Sequence, residues 1–332
     1  MPARSKKIPS KKIPSVLHIF LTAVSDSPKK SLLKAGVISL FIFLNFSFSL
    51  AQTDLATIPA EFGKVIYRCN QSSPNQLFII GMAHRDSLTG LNGPNVSRVQ
   101  AEVYKLGQWL IQNERCELLL PEGFFAAPAS KTGKELRRAT DEKLNCPESI
   151  DLKALEAKLD DSRCFVNAEL LLKGNYPLKL RQVEDLKFHQ AAGELIRKLS
   201  TCGNDSTEYL QVKSQLDSLQ ERRTAAMLQR IPEVIQAEFQ QGSIKARKAI
   251  FTIGLSHLPR IVRYLEENKV KIYSSNLSLD KKVEYTADLK LKKANFGVSI
   301  LLPQTLAGDR KVLKATGLDE IIAQIRRPSS SL

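Results

Sequence analysis

Two stretches of this chain run an apolar, β-branched segment directly into Gly-x-x-His. They are Gln76-Leu-Phe-Ile-Ile-Gly81-Met-Ala-His84 and Ala249-Ile-Phe-Thr-Ile-Gly254-Leu-Ser-His257. Segments of that length and composition read as buried strands. The glycine lets the backbone turn, so each histidine stands just past a strand end, where ligand-handling groups collect in open α/β sheets. The rest of the pattern alternates between the strand and helix periods. Phe62–Cys69 alternates as a strand, and a helix starting at Pro94 carries Val96, Val99, Val103, Leu106 and Leu110 at helical spacing. Glu117–Gly123 and Leu178–Glu184 read as strands ending in acids. Helices follow over Leu186–Leu199 and Thr207–Phe239, then the second motif strand and a helix over Leu258–Glu267. Val270–Ser274 and Phe296–Leu302 read as strands and Leu318–Ile325 as a last helix. Residues 127–175 are polar and read as a helical insertion. This rhythm predicts an α/β sheet flanked by helices.

The strand ends carry the candidate chemistry. Glu122 and Glu184 join His84 and His257 to give a His-Glu-Glu-His set placed by four strand termini. Imidazole serves equally as a metal ligand and as a base near neutral pH. Two imidazoles with one or two carboxylates suit Zn²⁺, Mn²⁺ or Co²⁺, and the lack of cysteine ligands disfavours a structural zinc. A spare carboxylate would serve as base towards metal-bound water. On the helix over Thr207–Phe239 the stripe Val212, Leu216, Leu219, Met227 and Ile231 also contains Arg223, with Arg222 about 100° away around the axis. An inward Arg223 needs a carboxylate or an anionic substrate group as partner; the alternative is that it snorkels outwards. His189, five residues past Glu184, reads as a packed or supporting histidine, with membership of the site as the other option.

The N-terminus changes the picture of charge and location. Residues 1–34 hold eight basic residues against Asp26 alone, close to half of the net charge of +15. The uncharged Ala35–Ala51 follows and ends in Ser49-Leu50-Ala51. This is the order of a secretory signal peptide cleaved after Ala51, and its apolar run is shorter than the ~20 residues of a spanning helix. A start near Lys29 would give a basic region of ordinary length. The expectation is a cleaved leader over 1–51, one domain over 52–326 and a disordered tail over 327–332, with a periplasmic or secreted protein that keeps no membrane span. No basic cluster with interleaved aromatics follows the leader, which argues against a nucleic-acid partner. Cys69, Cys116, Cys146, Cys164 and Cys202 contain no Cys-x-x-Cys spacing. In an oxidising compartment one or two disulfides are expected, Cys146 with Cys164 first, leaving an odd thiol.

Five short motifs in order resemble the TraB–Tiki–GumN family, within the wider erythromycin-esterase-like and ChaN-like group. They are Ile-Ile-Gly81-Met-Ala-His84, Leu-Leu-Leu-Pro-Glu122-Gly, Gln-Val-Glu184-Asp-Leu, Glu-Arg-Arg223-Thr-Ala-Ala-Met227 and Thr-Ile-Gly254-Leu-Ser-His257-Leu, spread over residues 76–268. The chain departs from the family pattern at Gln182, where a glycine is usual, and at Thr224, where Asn or Asp is favoured. The resemblance implies two related halves around a mixed sheet, each carrying one strand-Gly-x-x-His motif, with the motifs meeting at one pocket. It also implies metal-dependent proteolysis with Mn²⁺ or Co²⁺ as in Tiki members, or haem binding as in ChaN-like ones. The resulting expectation is a metal-dependent hydrolase, with a peptidase as the narrower form, acting on a peptide or small-molecule substrate. His84, His257 and Glu122 would hold the ion, Glu184 would be base or fourth ligand, and Arg223 would orient a carboxylate or steady negative charge. Two alternatives stay open: a haem- or ligand-binding envelope protein without turnover, and metal-free esterase-like chemistry with a histidine as base.

Overall fold

The two motif strands lie side by side. In the computed structural model β2 (Asn75–Met82) and β5 (Lys248–Gly254) pair in parallel, with Gly81 opposite Ile253 and Met82 opposite Gly254. The two motif strands therefore end side by side at the same end of the sheet. The structure describes residues 58–83, 95–123, 157, 167–203, 206–273 and 284–326. The leader and its cleavage point, His84, Pro94, the 127–175 stretch up to residue 166 apart from residue 157, Cys146, Cys164 and the tail over 327–332 lie outside them.

The sheet is mixed and six-stranded, in the order β1-β8-β2-β5-β3-β4. β3 is Leu118–Pro121, β4 is Lys179–Leu180 and β8 is Phe296–Pro303; with β2 and β5 they run parallel, and β1 (Gly63–Cys69) closes one edge antiparallel to β8. β2 and β8 are apolar along most of their length because both faces are covered, whereas β1, at the edge, is buried only at Gly63 and Ile66. Phe78, Ile79, Ile80, Phe251 and Ile253 are wholly buried, each worth roughly 1.5–3 kcal/mol of burial. From β2 the chain crosses through α1 (Val96–Asn113) to β3, skipping a position that β5 later fills. The predicted stripe of α1 is buried as expected. α2 (Ala168–Asn175) is the described end of the polar stretch. α3 (Leu186–Thr201) and the 34-residue α4 (Thr207–Gln240) form the long return from β4 to β5. α5 (Leu258–Glu267) follows β5 after a 3₁₀ turn, Leu255–His257, and stops at Asn268 in the left-handed region.

Several expectations are corrected. Gly81 has no positive φ and does not turn the chain; it sits inside β2, where an added Cβ would lie 2.5 Å from Leu258 Cδ1 and 2.9 Å from Leu302 Cδ2. Gly254, at φ −62°, is extended as well. The motif glycines mark close packing and an extended strand end. The strand expected over Leu178–Glu184 pairs only at Lys179–Leu180, with one further bond from Arg181 N–H to Leu119 O. Beyond it the side chains take other partners: Arg181 grips Glu238 at 2.7 and 3.0 Å, and Gln182 and Glu184 both bind Gly123. β6 (Lys269–Tyr273) does not join the main sheet but pairs with β7 (Glu284–Asp288), whose acidic ends hid it from the strand pattern. The short helices α6 (Lys290–Lys293), α7 (Gln304–Gly308) and α8 (Arg310–Thr316) precede the expected last helix, α9 (Leu318–Arg326). Cys69, Cys116 and Cys202 are free thiols. No helix among the described residues is long and apolar enough to cross a membrane.

Candidate functional site

Glu122 is the first residue beyond β3, and its N–H still bonds to Thr252 O at 2.9 Å, so the ladder with β5 fixes its Cα. Gly123 then turns the chain at φ +82°, a conformation that favours glycine. The Glu122 carboxylate spans the gap between strands: Oε2 accepts from Gly254 N–H at 2.6 Å, and Oε1 lies 3.1 Å from His257 Nε2 and 3.1 Å from Arg223 Nη2. His257 ends the 3₁₀ turn and is buried. Behind its ring, Nδ1 is 2.6 Å from Thr224 Oγ1, which is itself 2.7 Å from Gln220 O.

Arg223 lies between two carboxylates. Its Nε donates to Glu184 Oε1 at 2.5 Å, Nη2 to Glu122 Oε1 at 3.1 Å and Nη1 to Gln220 Oε1 at 2.6 Å. Helical periodicity puts Arg223 on the inner stripe, and Arg222 is buried too, so this stretch of α4 is covered around more of its circumference than the stripe alone indicated. Burial opposes the Arg223 charge, and the two glutamates more than offset it, raising its pKa. Glu184 stands just before Asp185, whose side chain caps α3 by accepting from Lys187 N–H. Its Oε2 accepts from Gly123 N–H at 2.9 Å and lies 3.2 Å from His189 Nδ1. Burial alone would raise this carboxyl; the His189 hydrogen bond together with the charge and hydrogen bond of Arg223 holds it below the usual carboxylate range.

Of the expected set, Glu122, Glu184, Arg223 and His257 are thus brought into one hydrogen-bonded cluster at the C-terminal ends of the parallel strands. His84 follows Ala83 at the end of β2, outside the described residues. Pattern reasoning missed Thr224, Gln220, Gly123 and Gln182. Gln182 donates to Gly123 O, so the residue whose N–H holds Glu184 is gripped on its carbonyl side as well. Thr224 and Gln182 are the two positions that depart from the resembled motifs; Thr224 contacts His257 and Gln182 contacts Gly123, next to Glu122. That was the available signal.

Among the described donors, the carboxylates of Glu122 and Glu184 are already engaged by Arg223 and by backbone N–H groups. Thr224 has one hydroxyl proton. If Gln220 O receives it, His257 Nδ1–H donates to Thr224 and the neutral ring turns the Nε2 lone pair towards Glu122. If the hydroxyl turns to Nδ1, the neutral ring carries its proton at Nε2. Only the first arrangement offers an imidazole lone pair to an ion beside Glu122. Arg223 already sets positive charge against both carboxylates, and no three His, Cys, Asp or Glu among the described residues are grouped to hold a metal. Comparison with protein-family models, curated proteins and solved structures gives no match to this chain.

Proposed function

We propose that this chain is a hydrolase, secreted or periplasmic, that cleaves an ester or amide bond of a peptide or small molecule at the Glu122–Arg223–Glu184–His257 cluster. One observation carries the proposal: Arg223 is held between two carboxylates, Glu122 just past β3 and the buried Glu184 just before α3. Its hydrogen bonds use three N–H groups of the five a guanidinium has, and one remains on each terminal nitrogen. That pair is a fork suited to a carbonyl oxygen becoming an oxyanion, held in place before the reaction begins. A guanidinium buried only for stability would gain little, since an apolar replacement of such an ion pair is often neutral or better.

His257 and Glu122 form the inner proton-holding pair, with Thr224 fixing the ring from behind. The leader-like N-terminus supports a location outside the cytoplasm, and the five motifs shared with the TraB–Tiki–GumN pattern support a hydrolytic use of the cluster. The test uses purified protein with chromogenic aryl esters and a fluorogenic peptide panel, with metal content measured and each assay repeated after exhaustive chelation. Turnover that falls by about 10²-fold or more in Arg223→Met agrees with loss of an oxyanion donor. Activity that survives Arg223→Met defeats the proposal. Loss of activity on chelation together with loss of metal in His84→Ala would return the ion to the mechanism. Saturable binding of an anionic ligand without product would select the non-catalytic alternative.

A further inference from the structure

We propose that a second site, at the opposite end of the sheet from the Glu122–Arg223 cluster, binds a phosphate monoester. β5 and β8 flank β2 as parallel neighbours, and a cavity of about 370 Å³ lies where they begin. Its walls include Arg247, one residue before β5, and Phe296, the first residue of β8. Lys290 and Lys293 of α6 face it too, as do Pro232 and Glu233 of α4. The cluster lies past the other ends of the same strands, roughly 20 Å away for the seven residues of β5. The two sites are therefore separate, and this one does not depend on the hydrolase reading.

Arg247 is the central group. Its Nε is buried and has no hydrogen-bond partner among the described residues. The guanidinium carbon stands 4.8 Å from the centre of the Phe239 ring, a contact that holds the group against the end of α4. The backbone is fixed as well, since Arg247 O accepts from Gln76 N–H at 3.0 Å. A buried donor left unmet costs stability. At Arg223 the fold meets the guanidinium with acceptors on three nitrogens. At Arg247 the one acid among the described lining residues, Glu233, is already 2.5 Å from Lys290 Nζ. A ligand oxygen would fill the role that the fold leaves open.

The balance of charge selects the ligand. Lys290 and Glu233 neutralise one another, which leaves Arg247 and Lys293 unmatched among the described lining residues. A phosphate monoester carries about −1.5 to −2 near neutral pH and three acceptor oxygens. Two of these suit the planar fork of Arg247 and the third the ammonium of Lys293. A single carboxylate would leave one cation without a partner. Pro232 and the buried Phe296 offer apolar surface to the carbon side of the ester, and the cavity volume sets a small organic group there. A soluble phosphate ester and the head group of phosphatidic acid share this chemistry.

Calorimetric titration of the purified protein with glycerol phosphate, and sedimentation with phosphatidylcholine vesicles with and without phosphatidic acid, separate these sources. Saturable binding of glycerol phosphate alone assigns a soluble ester, and binding only to vesicles that hold phosphatidic acid assigns the lipid. In either case Arg247→Met should weaken binding about tenfold or more, the usual loss for a hydrogen bond to a charged group. Lys293→Gln, a change at an exposed residue, should weaken it less, and Arg247→Lys should fail to restore it because the fork is gone. Without ligand the methionine variant should unfold near the wild-type temperature, since the guanidinium makes no hydrogen bond among the described residues to lose. It should lack the rise in Tm that the bound probe gives the wild type. Binding that Arg247→Met and Lys293→Gln leave unchanged overturns the proposal. So does equal affinity for succinate and glycerol phosphate, or no binding of either phosphate probe.

Discussion

Thr224 Oγ1 lies 2.6 Å from His257 Nδ1, on the opposite side of the ring from Glu122. A buried imidazole with one nitrogen on a carboxylate and the other on a hydroxyl cannot rotate without losing both bonds. Thr224→Val keeps the shape and removes the hydroxyl, leaving a buried ring nitrogen unmet. The expected cost is about 1–3 kcal/mol, read as a lower urea midpoint with unchanged slope. Thr224→Ser should recover most of it. A valine variant as stable as wild type would mean that the hydroxyl does not hold the ring.

Arg223 joins two carboxylates through different nitrogens, Nε to Glu184 and Nη2 to Glu122. An ammonium is a point charge and cannot reproduce this geometry, so Arg223→Lys should behave more like a deletion than a conservative change. Arg223→Met leaves two buried carboxylates facing each other without the cation. Removing one partner of a buried pair costs about 3–5 kcal/mol, and denaturant unfolding should report a loss of that size. The cost should fall when Glu184→Gln is added, because the two changes share one interaction. Strict additivity in that cycle would show that the guanidinium and the carboxylate act independently.

Much of this frame was legible in the residues. β2 and β5 could be read because continuous apolar runs bounded by glycine have few other uses, and Arg223 because it interrupts an otherwise apolar stripe. The rest depended on partners distant in the chain. That β5 lies between β2 and β3 follows from a crossover that no local pattern records. β4 was overestimated because Arg181, Gln182 and Glu184 look like a strand in sequence but bind across to Glu238 and Gly123. His189 read as a packed or supporting histidine, but which residue it supports, Glu184, is visible only in the fold. Gly81 was located correctly but assigned the wrong cause, since close approach of three leucines leaves no trace at the glycine itself.

That close approach makes a separate prediction. In Gly81→Ala the new Cβ would meet Leu258 Cδ1 at 2.5 Å, Leu302 Cδ2 at 2.9 Å and Leu255 Cδ2 at 3.1 Å. These leucines are buried and have little room to withdraw. Overpacking of this kind costs about 1–3 kcal/mol, which calorimetry should report as a lower Tm. Because Leu255 belongs to the turn that carries His257, activity should decline along with stability. Second-site changes Leu258→Val or Leu302→Val should relieve the clash, since each removes a methylene near the added methyl. If neither does, the cost arises elsewhere in the backbone.

Glu184 also ties stability to pH, and the sign follows from the direction of its shift. Its carboxyl is lower in the folded protein than in the unfolded chain, where a glutamate titrates near about 4.3. The stabilisation is therefore complete above the unfolded value and is lost as pH falls through the folded one. Within that window the unfolded chain binds one more proton than the native protein at this residue, so stability should decline with a slope of up to about 1.4 kcal/mol per pH unit from Glu184 alone. Glu184→Gln removes the titrating group and should flatten the acid limb of a stability–pH curve by about one proton, while lowering stability at neutral pH because the amide presents an N–H to donors. His189→Asn should steepen nothing and narrow the window slightly, since Arg223 remains to hold the carboxylate down. Urea midpoints collected from neutral pH to below pH ~4 would measure both. An acid limb identical in wild type and Glu184→Gln would mean that this carboxyl titrates alike in the folded and unfolded chains, and that the cluster does not hold it ionised.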